Sequence, residues 1–141
     1  MTTTASTTAS TSATTTPRQD LFALLARLLI AAIFVLAGVG KIADPAGTIG
    51  YIQSVGLPVP QAAYGGAVAI EVLGGLALIA GFRTRAAALV LAGFTLLTGA
   101  IFHHQLADQT QFIMFFKNLA MAGGLLQIAA FGPGRLSLDK R

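Results

Sequence analysis

Four apolar runs of roughly twenty residues each occupy most of this chain, and a helix of that length crosses the ~30 Å hydrocarbon core of a bilayer at about 1.5 Å per residue. They fall at about 20–42, 62–81, 86–103 and 112–131. Only 10% of the residues are charged and the mean hydropathy is +0.76, whereas soluble domains carry roughly a quarter charged residues. The expected fold is therefore an all-α integral membrane four-helix bundle with no room for a soluble catalytic domain.

Around the spans the chain divides into three parts. Residues 1–17 form a Thr/Ser/Ala tract with too little apolar surface to bury, expected to be a disordered leader and unlike a secretory signal or a mitochondrial transit peptide. Residues 18–135 form the four-span domain and 136–141 a basic tail. Between the first two spans, Asp44 followed by Pro45 reads as a helix cap and first turn. Ile49, Ile52 and Val55 then recur every three residues before Gly56, Pro58 and Pro60, which predicts a short interfacial helix.

Orientation follows from the basic residues. Arg18, Arg27, Arg83, Arg85, Arg135, Lys140 and Arg141 share one side of a four-span topology, against Lys41 and Lys117 on the other. That bias predicts both termini in the cytoplasm.

Within this apolar background one acid stands out. Glu71 lies near the centre of the second span, and an intramembrane carboxylate costs a few kcal/mol unless it is partnered, so it marks a candidate site. Ala67, Glu71 and Gly75 recur at i, i+4 and i+8 with Gly74 beside them, placing the acid on the small-residue face that packs against other helices. Arg27, Ala31, Phe34, Gly38 and Lys41 share one face of the first span. Ala92, Thr95, Gly99 and His103 line the third, and Lys117, Met121, Gly124 and Ile128 the fourth. These registers predict an outward-opening polar pocket lined by Lys41, Glu71, His103 and Lys117, with Arg27 below it and Lys117 as the first candidate partner of Glu71. Asn118 adds donors and an acceptor beside Lys117. Plainer readings stand beside these: an ion pair that only locks helices, Arg27 and Lys41 snorkelling to the interfaces, and His103 with His104 as an interfacial pair with one ring available to shuttle a proton.

Several chemistries are excluded. The chain has no cysteine, so it carries no thiol–disulfide centre, iron–sulfur cluster or thiolate metal site. Adjacent histidines project about 100° apart on a helix and cannot clamp one metal, and no further histidine exists for a two-histidine haem. No metal site is expected. The formal charge of +4 sits at the ends of apolar runs rather than in a patch, so nucleic acid is not an expected partner. Residues 38–43, GVGKIA, fit a dinucleotide-binding spacing by accident, since they close a spanning helix rather than follow a strand.

Taken in order, RLLIAAIFVLAGVGKIADP, GLPVP, EVLGGLALIAGFRTRAAAL, FKNLAMAGGLLQ and GPGRLSLD resemble the DoxX family of small four-helix bacterial inner-membrane proteins, over about residues 18–139. The family's Arg, Lys, Glu and Lys-Asn positions match Arg27, Lys41, Glu71, Lys117 and Asn118. Its members include a subunit of an archaeal thiosulfate:quinone oxidoreductase, and others are linked to membrane oxidoreductase complexes that manage thiol and oxidative stress. The resemblance implies an accessory or quinone-interacting inner-membrane subunit, non-catalytic or quinone-binding, with a redox partner protein supplying the electron carrier and with no covalently bound cofactor. The polar pocket could hydrogen-bond a quinone carbonyl and relay its proton. Two other functions fit the residues: a small proton-coupled permease, and a structural subunit without chemistry. Beyond the lipid bilayer and that redox partner, a homo-oligomer is a candidate assembly.

Overall fold

The structure, a computed structural model, describes residues 16–139. The proposed disordered leader up to residue 15, and the basic Lys140 and Arg141, lie outside the described residues. Five helices follow one another: α1 (Pro17–Ala43), α2 (Pro45–Ser54), α3 (Pro60–Ala80), α4 (Thr84–Phe102) and α5 (Gln109–Phe131). All but α2 are long and apolar enough to cross a membrane.

Capping explains where the helices begin. Helix α1 starts at Pro17, three residues before the apolar run, because Thr16 and Gln19 form a reciprocal capping box and proline suits the first turn. Similarly, the Asp108 carboxylate accepts the Gln111 N–H and starts α5 ahead of its apolar run. Asp44 caps the short α2 through the Gly47 N–H at 2.9 Å. Gly81, at φ 68°, ends α3 in a Schellman arrangement, with Phe82 N–H donating to the Ala77 carbonyl and Gly81 N–H to that of Leu78.

The four long helices stand at the corners of a square. Helix α1 packs tightly on α3 and α4 tightly on α5. The two pairs meet more sparsely along α3/α4 and α1/α5, and α3 makes no contact with α5 across the diagonal. Close approach within the α1/α3 pair needs glycine. A Cβ on Gly38 would lie 2.6 Å from the Val72 side chain, and one on Gly75 2.7 Å from that of Val35.

Arg27, Ala31, Phe34 and Gly38 of α1, Glu71 and Gly75 of α3, and Ala92, Thr95 and Gly99 of α4 are buried, on the faces that periodicity indicates. Of the expected α5 face, Ile128 is buried, Gly124 meets Ile30 of α1, and Met121 and Lys117 point to the open half; Ala122 and Leu125 are buried beside them, and Lys117 is exposed. Asn118 takes the seat against α4, where a Cβ on Gly99 would lie 3.1 Å from its own Cβ.

The segment after α5 is not a free tail. It folds back across the end of the bundle that holds the α1 N-terminus and the α3–α4 turn. Arg135 N–H donates to Asp20, Leu138 N–H to the Ala80 carbonyl and Asp139 N–H to that of Gly81. The Asp139 carboxylate then accepts from the N–H groups of Arg83 (2.6 Å) and Thr84 (2.8 Å). Arg83, in the left-handed region at φ 44°, gives α4 no cap of its own, so an aspartate 55 residues downstream of Thr84 supplies it. Partial desolvation pushes the Asp139 pKa up, but the backbone N–H groups, the nearby Thr84 hydroxyl and the Arg27 charge outweigh it and hold the carboxyl below its ordinary value. The ionised cap is thus at full strength above the ordinary aspartate pKa and is lost as pH falls through the lower folded-state value. Asp139→Ala is expected to cost about 1 kcal/mol, as for other N-caps. The difference from wild type, read by denaturant unfolding in detergent, should shrink as the buffer is acidified; a difference that grows instead would contradict the assignment.

Candidate functional site

The two helix pairs touch in the half of the bundle next to the folded-back segment 132–139, the strap, and part in the other half. Ala31, Leu78, Ala88, Leu91, Ala92, Leu125 and Ile128 fill the closed half with a continuous core. The open half holds a cavity of about 840 Å³, within the size range of small-molecule sites.

Its walls come from every helix. Phe34, Ala37 and Lys41 project from α1, Ala67, Ile70 and Glu71 from α3, Phe94, Thr95, Thr98 and His103 from α4, and Met114, Lys117, Asn118 and Met121 from α5. Helix α2 lies over the end with Asp44, Thr48, Tyr51 and Ile52. Tyr51 stacks on Phe102 of α4 with ring centroids 5.3 Å apart, so this roof reaches from one helix pair to the other.

On the α1/α3 wall, Lys41 Nζ stands 2.9 Å from both Glu71 carboxylate oxygens. Only Oε1 accepts a hydrogen bond of good geometry, which leaves Oε2 buried with an unfilled acceptor. The acid side chain is 7% exposed and the lysine 27%, so the pair is sunk in the wall with its cation toward the cavity. The Tyr64 hydroxyl donates to the Lys41 carbonyl at 3.3 Å and steadies that turn of α1.

Lys117 is therefore not the partner of Glu71. It projects from α5, diagonally opposite α3, whereas Lys41 belongs to the helix packed directly against the acid. Lys117 and Asn118 instead form a second polar wall across the cavity, and Lys117 makes no hydrogen bond or ion pair among the described residues. His103 completes the rim. Its Nδ1 is 2.8 Å from Gln111 Oε1, which orients the ring, while His104 points away and bonds the Ile101 carbonyl.

Arg27 stands apart from the cavity. It is completely buried in the closed half, donating from Nη1 to the Leu78 carbonyl at 3.1 Å and from Nη2 to the Leu136 carbonyl of the strap. It neither snorkels nor joins the site. Sequence periodicity did not reveal Tyr51, the roof ring, or Gln111, the partner of His103. The only signals for them were the position of α2 between two spanning helices and the eight-residue offset of Gln111 from His103.

Known proteins resemble the chain throughout this architecture. The DoxX family matches residues 22–104, more than half of the chain. Inner membrane protein YqjF of Escherichia coli K12 is 43% identical over 125 residues, which covers 86% of this chain and 92% of the relative. Inner membrane protein YphA of the same organism is 38% identical over 129 residues, covering 87% of this chain and 91% of that protein. No solved structure matches the chain. With four spanning helices and two inner-membrane relatives matched over nearly their full length, this chain belongs to the DoxX family and is a multi-pass inner-membrane protein.

Proposed function

We propose that this protein is a quinone-interacting accessory component of a membrane redox system, and that the cavity receives the quinone ring. The observation that carries the reading is the Lys41–Glu71 pair set in an otherwise largely apolar cavity of about 840 Å³, with Lys117 and Asn118 on the opposite wall. A quinone presents an apolar ring with oxygens at opposite edges, and this arrangement offers cationic donors at two walls with apolar contacts between. The carboxylate beside Lys41 is placed to exchange a proton with a reduced ring oxygen, and His103 at the rim to pass it outward. Electrons come from a partner protein, since the chain has no cysteine for a thiol or iron–sulfur centre. The charge asymmetry favours both termini in the cytoplasm, which would turn the cavity toward the outer face.

The strap argues against the permease reading. Alternating access would have to open the half that Arg27, the strap and the core close.

Tyrosine fluorescence gives a direct test, because the chain has two tyrosines and no tryptophan and Tyr51 lines the cavity. A short-tailed benzoquinone added to the purified protein in lipid vesicles is expected to quench saturably and to raise Tm. Linear, collisional quenching with no change in Tm would sink the reading.

A further inference from the structure

We propose that the ligand is lipid-borne, a quinone ring with an apolar tail, and that it enters sideways from the bilayer between α1 and α5, leaving its tail in that gap. This rests on the quinone reading above and adds the class of quinone and its route.

Three observations carry it. First, the way in from the water-facing end is obstructed: α2 lies over it, Ile52 is buried and Tyr51 bridges to Phe102. Second, α1 and α5 are the least closely packed neighbours among the spanning helices. They meet at Ile30 and Gly124, where a Cβ on the glycine would come within 2.7 Å of Ile30 Cδ1. One turn toward the open half, Ile33 of α1 lines the cavity and is 37% exposed, and Lys117 of α5, on the facing side of this sparse contact, likewise lines the cavity while exposed. Third, Lys117, at the edge of that contact, has no partner among the described residues. A long side chain with its stem along an apolar gap and its ammonium free is suited to hold a ring oxygen while the tail remains in lipid.

A water-soluble quinone would need no such gap, so the two sources separate kinetically. The test uses the full chain in lipid vesicles and two probes, a decyl-tailed benzoquinone and the same ring without a tail, with stopped-flow quenching of tyrosine fluorescence. Ile33→Phe narrows the gap without adding a tryptophan, and association and dissociation of the tailed probe are both expected to slow about tenfold more than those of the tail-less ring, since an obstructed route alters rates in both directions. Ile33→Ala widens it and is expected to speed the tailed probe. Leu97→Phe, at the cavity edge on the opposite α3/α4 side, serves as the comparison. Equal slowing of both probes, unchanged rates in both Ile33 variants, or slowing by Leu97→Phe alone would overturn the α1/α5 route while leaving quinone binding standing. If wild-type protein binds neither probe, the quinone reading falls and the route with it.

Discussion

Replacing Arg27 with methionine is expected to destabilise the folded protein by roughly 3 kcal/mol, read by reversible denaturant unfolding in detergent micelles. Opposing effects have to be weighed here. Burying a guanidinium completely is costly, and an apolar residue of similar volume can be neutral or even stabilising at such a site. Against that, Arg27 donates to the Leu136 carbonyl, which has no other donor among the described residues, and its charge also favours the ionised Asp139 that caps α4. The Leu78 carbonyl would keep the Gly81 N–H, so the loss concentrates on the strap. Because methionine supplies volume but no donor, the unsatisfied carbonyl and weakened cap prevail. Arg27→Lys, with a charge but no two-armed reach, should fall between. A methionine variant within about 0.5 kcal/mol of wild type, the ordinary scatter of harmless substitutions, would show that the strap does not depend on this residue.

The Lys41–Glu71 pair should respond asymmetrically. Lys41→Met strands a carboxylate that is 7% exposed and is expected to cost about 3 kcal/mol, the range for breaking a buried pair. Glu71→Leu leaves a lysine with 27% exposure, whose stem can carry the charge toward the cavity mouth, so the cost should be nearer 1 kcal/mol. The double variant Lys41→Met/Glu71→Leu is expected to recover most of the first loss while abolishing saturable quinone quenching. Stability and quenching measured on all three variants separate a helix lock from a ligand site. Full quenching in the double variant would assign the pair to packing alone.

How far these residues could be read in advance depended on the kind of information each required. The inward face of α1, running through Arg27, Ala31, Phe34 and Gly38, follows from spacing within one helix, and so does the burial of Glu71. Which lysine meets Glu71 does not, because it depends on which helices are adjacent and which are diagonal. Helix registers place both lysines in the same pocket, and adjacency decides for Lys41. The α5 stripe through Met121, Gly124 and Ile128 is inward as spacing indicates, but spacing does not show that the neutral Asn118 fits between α4 and α5 while Lys117 extends along the cavity edge. The strap was the least legible. LSLD is only four residues long, too short for a helical period to be read, and its hydrogen bonds go to groups far away in the chain that local pattern does not connect.

Those distant bonds bear on how the protein is made. Ribosomes deliver α1 ahead of the other described helices, yet the second acceptor for Arg27 is the Leu136 carbonyl, 109 residues later, and the acceptor for Arg135 N–H is Asp20, 115 residues earlier. Throughout synthesis of the intervening helices, α1 therefore carries an arginine whose second acceptor, and an aspartate whose Arg135 donor, have not been translated. The closed half of the bundle is therefore complete only once the strap has been made, when its contacts join α1 to the α3–α4 turn and to the last described residues.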